Sequence, residues 1–182
     1  GFNINQQVGS TNIYRLKELV LVNKLDFGFA FDGDGDRVIA VDFNGNVIDG
    51  DKIIYILASH LKRQDKLKNN KVCLTVMSDL GVIKALNEIG ISVNEVNVGD
   101  KYVYQNIVEN DLSLGGENSG HIIFLDQLNT GDGVLIASIL IEIFRKEEKI
   151  FQDYLKDINS YFSRTINLSI ENKNNLIKTV SS

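Results

Sequence analysis

The sequence contains no proline, so every tight turn has to be made by glycine, asparagine or aspartate. Its one cysteine, Cys73, excludes an intrachain disulfide and points to a reducing compartment, the cytoplasm. No apolar run is long and uninterrupted enough to cross a bilayer. The first residues show no basic-then-apolar stretch of the signal-peptide kind. There is also no basic block: 19 Lys and Arg stand against 24 Asp and Glu, a net charge of -5. Such a chain is a poor partner for a nucleic-acid backbone, and neither nucleic acid nor membrane is expected as a partner. Repeats are absent as well.

What is present reads as an ordinary folded protein, with 43% hydrophobic and 24% charged residues. A length of 182 residues suits one domain, or one domain with pieces of its neighbours. The start at Gly1 and the strand-like end Leu176-Ile177-Lys178-Thr179-Val180 predict a fragment. Ser10 or Thr11 is expected to cap a helix reaching Asn23. Strands follow at 27–31 and 38–41, and Asn44-Gly45 predicts a hairpin into Val47-Ile48. From there helices and strands alternate. Helices are expected over 51–62, 79–89 (capped by Ser78 and closed by Gly90) and 102–109, with a further one of about fifteen residues opening at Asp132. Strands are expected over 72–77, 92–98 and 122–125. The alternation predicts an α/β fold with a mixed, mainly parallel sheet and helices on both faces. The continuous apolar run at 72–77 suits a strand covered on both sides.

The sharpest local feature is Asp32-Gly33-Asp34-Gly35-Asp36-Arg37, directly after an apolar strand. Three carboxylates in five residues repel one another unless a hard divalent cation draws them together. The glycines between them let the backbone fold tightly enough for the side chains to converge. A solvated acidic turn is the bland alternative. An EF-hand fails on spacing, because Arg37 and Phe43 occupy the positions that need glycine and glutamate. Arg37 beside a metal suits an anion bridging both, and phosphate is such an anion.

A second polar cluster is Gly115-Gly116-Glu117-Asn118-Ser119-Gly120-His121. Its acceptors and donors are of the kind that read sugar hydroxyls, although a plain surface turn has the same composition. Lys101 reads as a surface lysine at a helix start. His121 reads either as a strand-edge residue or as a proton-transfer group. His60 is expected on the surface, Cys73 in the core, and Thr130 and Asp132 as helix caps.

Residues 31–37 with the hairpin after them resemble the metal-binding loop of the α-D-phosphohexomutases. The resemblance implies that Asp32, Asp34 and Asp36 hold Mg²⁺ and that Arg37 lies near the transferred phosphoryl group. It implies that Glu117, Asn118 and Ser119 bind the sugar, and that Lys101 and His121 point into the catalytic cleft. Lys101 stands where Arg is usual in the relevant branch, which keeps the charge but not bidentate phosphate binding. Glu117-Asn118-Ser119-Gly120-His121-Ile122, with Asn129-Thr130-Gly131-Asp132-Gly133, is most similar to the bacterial phosphoglucosamine branch. So are the opening Gly1-Phe2-Asn3-Ile4-Asn5 and Gly9-Ser10-Thr11. The phosphomannomutase/phosphoglucomutase branch more often has Met at 118.

That resemblance implies conversion between glucosamine 6-phosphate and glucosamine 1-phosphate, through a phosphoserine and a bisphosphate. Glucosamine 1,6-bisphosphate or a related hexose bisphosphate would be the intermediate, and the product would feed cell-wall amino-sugar synthesis. The partner is then a small phosphosugar, and a homodimer of the full-length protein is allowed. The domains expected are 1–47 (end of domain 2), 48–159 (domain 3) and 160–182 (start of domain 4). The serine and the phosphate-binding loop would lie outside this chain, which alone would not turn over. A glucose- or mannose-phosphate mutase is the nearest alternative, and a non-catalytic cation-binding module is the alternative of another class.

Overall fold

The computed structural model describes residues 4–156, 158, 159 and 161. The segment expected to open a further domain, 160–182, therefore lies outside the described residues except for Tyr161.

Helix α1 spans Tyr14–Asn23 and starts later than Ser10 or Thr11 would place it. The Ser10 N–H is taken by the Phe31 carbonyl at 3.2 Å, which ties this segment to a strand edge instead. Three antiparallel strands follow in the order β1 (Phe27–Phe31), β2 (Val38–Asp42) and β3 (Val47–Ile48). The Asn44-Gly45 hairpin forms as its residues predict, with Gly45 at φ +79°. The buried Asp42 carboxylate accepts the Asn44 and Asn46 N–H groups at 2.9 and 2.8 Å, which closes the turn.

The alternating part contains α2 (Gly50–Arg63), β4 (Lys71–Thr75), α3 (Leu80–Glu88), β5 (Ser92–Val96) and α4 (Asp100–Glu109). It continues with β6 (Leu114–Gly116), β7 (Ile122–Phe124), α5 (Gly133–Glu147) and α6 (Phe151–Leu155). The four strands lie in the order β5-β4-β6-β7. Strand β4 is parallel to both β5 and β6, while β7 runs antiparallel to β6. The sheet is thus mixed and mainly parallel, as expected.

Side-chain alternation explains why both faces are covered. Val72, Leu74, Leu114, Ile122 and Phe124 face a core shared with α2, α3, α5 and α6. Cys73 and Ile123 point the other way, against Val103 and Ile107 of α4. Cys73 is fully buried, and burial pushes its thiol up to about 12, so it behaves as a small core residue. Strand β6 escapes a sequence reading because two of its three residues are glycine. Gly115 is required there, since a Cβ would overlap Cys73 and Ile107.

The first sheet packs on the same core. Val38, Ala40 and Ile48 join its main cluster, and the Phe27 ring meets Phe144 and Phe151 edge-on at 5.6 and 5.8 Å.

Three expectations need correction. Asp79, not Ser78, caps α3, accepting the Gly81 N–H, because the Ser78 hydroxyl is engaged elsewhere. Asp132 caps α5, whereas Thr130 is exposed and caps nothing. His60 is not a surface residue: its side chain is only 14% exposed, and Nδ1 lies 2.5 Å from a Glu147 oxygen.

Candidate functional site

The acidic loop begins where β1 ends. The Asp32 carbonyl accepts the Gly35 N–H at 3.3 Å, and Gly35 takes φ +76°, a left-handed conformation that suits glycine. The Arg37 N–H then donates to Asp32 Oδ1 at 3.1 Å. This bend brings one oxygen from each of Asp32, Asp34 and Asp36 within 4.8 Å of the others. Among the described residues it is the one such cluster of potential metal ligands.

Its charges are not balanced from within. Burial pushes the Asp36 carboxyl above its ordinary range, contact with Asp32 and the nearby Asp34 add to this, and His121 opposes it. Burial acts on Asp32 in the same sense. There, contact with the Asp36 carboxyl, the hydrogen bond from the Arg37 N–H and the charge of Arg37 prevail and hold it low. Arg37 Nε stands 3.6 Å from Asp32 and 3.9 Å from Asp36, too far for a hydrogen bond to either. Asp36 Oδ1 and Arg37 Nε are both buried without a hydrogen-bond partner among the described residues. One guanidinium against three carboxylates leaves an excess of negative charge, and an orphaned buried carboxylate oxygen is costly. A hard divalent cation fits this all-oxygen donor set and would satisfy the orphan.

The second loop is joined to the first through the backbone. Arg37 forms an isolated antiparallel bridge with His121, and the Val38 N–H donates to the Gly120 carbonyl at 3.1 Å. His121 is buried, with Nδ1 3.0 Å from Asp36 Oδ2. Gly131 packs so closely on the His121 ring that a side chain there would overlap it. The start of α5 closes on the same point, where the Gly133 N–H donates to the Gly35 carbonyl at 2.8 Å.

Along this loop, Glu117 is half-buried and its Oε1 accepts the Gly99 N–H at 3.0 Å. Asn118 and Ser119 are exposed at the tip. Lys101 is exposed in the first turn of α4, its ammonium 4.7 Å from the centre of the Tyr102 ring. The Gly99–Glu117 bond ties the start of α4 to the loop. The fold thus gathers Asp32, Asp34, Asp36, Arg37 and His121 at one junction with loop 117–119 beside it. Lys101 follows two residues after Gly99, and among the described residues no hydrogen bond or ion pair joins its ammonium to this group.

Sequence reasoning missed Asp51, a fully buried carboxylate that contacts Asn118. It opens the helix expected over 51–62, and nothing in the local sequence signals a partner 67 positions away.

The model of the phosphoglucomutase/phosphomannomutase alpha/beta/alpha domain III matches residues 49–161. The chain belongs to this family. Among curated relatives, the phosphoglucosamine mutase of Caldicellulosiruptor saccharolyticus is 45% identical over 94% of the chain, and the chain spans 38% of that relative's length. A solved phosphoglucomutase/phosphomannomutase family protein from Burkholderia thailandensis superposes with a TM-score of 0.72 at 25% identity, covering 86% of this chain and 34% of that one. The fold is also shared with an Aspergillus fumigatus N-acetylphosphoglucosamine mutase solved with glucose 1,6-bisphosphate, at 18% identity and a TM-score of 0.67. That match covers 85% of this chain and 37% of the other. No helix among the described residues is long and apolar enough to cross a membrane.

Proposed function

We propose that this chain is the central part of a phosphoglucosamine mutase. It would comprise the end of domain 2 (1–47), domain 3 (48–159) and the start of domain 4 (160–182). The full-length enzyme interconverts glucosamine 6-phosphate and glucosamine 1-phosphate in the cytoplasm, for cell-wall amino-sugar synthesis. A phosphoserine outside this chain gives its phosphoryl group to the sugar. The resulting glucosamine 1,6-bisphosphate, or a related hexose bisphosphate, turns around and returns its other phosphoryl group to the serine. Names of relatives support the amino sugar, and the complex of the Aspergillus protein supports a bisphosphate.

One observation carries the reading: the acid trio with its orphaned Asp36 oxygen and Arg37 shares a backbone junction with loop 117–119. Asp32, Asp34 and Asp36 would hold a magnesium ion, a Lewis acid that stabilises charge on phosphoryl oxygens. Arg37, held beside these carboxylates, offers a fixed donor to the same oxygens. His121 keeps Asp36 oriented through its 3.0 Å contact and can hold or pass a proton at Nδ1. Glu117 has one oxygen on Gly99 and the other available for a sugar hydroxyl. Asn118 and Ser119 offer donors and acceptors at the tip, and Lys101 adds positive charge at the rim for the substrate phosphate.

The full-length protein should be assayed with Mg²⁺ on glucosamine, mannose and glucose phosphates. The highest kcat/KM is expected on glucosamine 6-phosphate. A higher value on mannose or glucose phosphate would move the protein to the neighbouring branch. Magnesium uptake at the acidic loop without turnover of any of them would leave a non-catalytic cation-binding module.

A further inference from the structure

Asp51 occupies the first turn of α2, yet it is not needed as a cap, because Asp49 already accepts the Lys52 N–H at 3.1 Å. Asp51 is fully buried, and no ion pair reaches it among the described residues. Its carboxylate accepts instead from the Ser78 hydroxyl at 2.9 Å, the Asp79 N–H at 2.8 Å and Asn118 Nδ2 at 3.2 Å. Burying a carboxylate among neutral donors is unfavourable unless each donor is well placed. These donors come from two segments distant in sequence, the turn before α3 and the tip of loop 117–119. The neighbouring Gly50 makes the same junction from the backbone. Its N–H donates to the Asn118 carbonyl at 3.0 Å, and a Cβ there would overlap the Glu117 carbonyl oxygen and Gly120. Asn118 is therefore held at both its main chain and its side chain by the start of α2.

We infer that Asp51 is a positioning residue that, from inside the core, orients Asn118 and with it loop 117–119 for the phosphosugar. The inference rests on the reading of that loop as the one that meets sugar hydroxyls. Asp51 itself touches no substrate, so its effect passes through the aim of Asn118.

The test is made in the full-length protein with two readouts: steady-state kinetics on glucosamine 6-phosphate and amide hydrogen exchange across 116–120. Asp51→Ala removes the Oδ2 oxygen that accepts from both Asn118 Nδ2 and the Asp79 N–H. It is expected to raise KM about tenfold, the equivalent of one lost hydrogen bond. The kcat should stay within about twofold, and exchange across the loop should rise. In the Asp51→Ala background, Asn118→Ala should raise KM little further, because the aim of that side chain is already lost. A purely structural role would let the two effects add. If Asp51→Ala does not fold, Asn118→Asp carries the test alone. With Asp51 in place it sets carboxylate against carboxylate, and it should raise KM more than Asn118→Ala does.

Unchanged exchange and KM in Asp51→Ala, additive effects in the double variant, or equal KM for Asn118→Asp and Asn118→Ala would overturn the inference while leaving the sugar-loop reading intact. Raised exchange with unchanged KM would instead overturn the sugar-loop reading, and the inference with it.

Discussion

The molecule has two corners built around carboxylates, and they follow opposite plans. At the end of α5, Glu147 is surrounded by donors: Arg63 at 2.7 and 2.8 Å, the Tyr154 hydroxyl at 2.7 Å and His60 Nδ1 at 2.5 Å. Lys149 stands 3.7 Å away. Burial works against the Glu147 charge, but these partners outweigh it and hold the pKa at about 2. At the acidic loop, three carboxylates share one arginine, Asp36 is pushed upward, and one of its oxygens has no partner. The first corner has already met its electrostatic demand with the protein's own groups. The second has not, and a chain keeps such an imbalance where something from outside completes it. On that difference the Glu147 corner reads as a structural ion network and the acidic loop as the candidate site.

The comparison breaks most visibly at Asp34. This residue is exposed and makes no hydrogen bond or ion pair among the described residues, so Asp34→Ala removes nothing the fold depends on. The expected outcome is an unchanged melting temperature, lost magnesium uptake by calorimetry, and turnover of the full-length protein lower by about a thousandfold. Near-normal turnover would dismantle the metal assignment. A large drop in melting temperature would place the loop among the structural corners.

Glu147→Gln should do the reverse. The amide cannot compensate Arg63 and leaves a guanidinium facing a neutral partner. A loss of about 2 kcal/mol in urea unfolding is expected, at the modest end because Arg63 is substantially exposed. Magnesium uptake should be that of wild type. If this substitution lowers magnesium affinity, the two corners are coupled and the contrast between them fails.

The two corners also differ in how far the sequence reveals them. Asp32, Asp34 and Asp36 converge through a bend of five residues, so spacing and the intervening glycines suffice to read them. The Asn44-Gly45 hairpin and the two-sided β4 are local in the same sense. The Glu147 corner is assembled from residues 84 and 87 positions apart, and nothing near His60 signals that its partner comes from α5. Asp51 was obscure for the same reason, since Asn118 lies 67 positions away. Strand β6 was hidden differently. Its glycines resemble a loop until the approach of Cys73 and Ile107 shows why side chains are excluded. The start of α1 depends on a bond from Ser10 to the edge of β1, again a contact no local pattern carries.

Acid titration gives the finest version of the comparison. The folded Glu147 carboxyl sits at about 2 against an ordinary 4.5, so it favours the folded state whenever it is ionised there and would be ionised in the unfolded chain. That stability is fully present above about pH 4.5 and fades as the pH falls towards 2. Glu147→Gln has no such group to titrate. The stability gap between wild type and Glu147→Gln, about 2 kcal/mol near neutrality, should therefore narrow steadily between pH 4.5 and pH 2. Unfolding curves of the two proteins across that window measure it directly. A gap that stays constant with pH would mean that Glu147 acts through packing with Tyr154 and Arg63 rather than through its charge, and its corner would lose its standing as the balanced counterpart of the acidic loop.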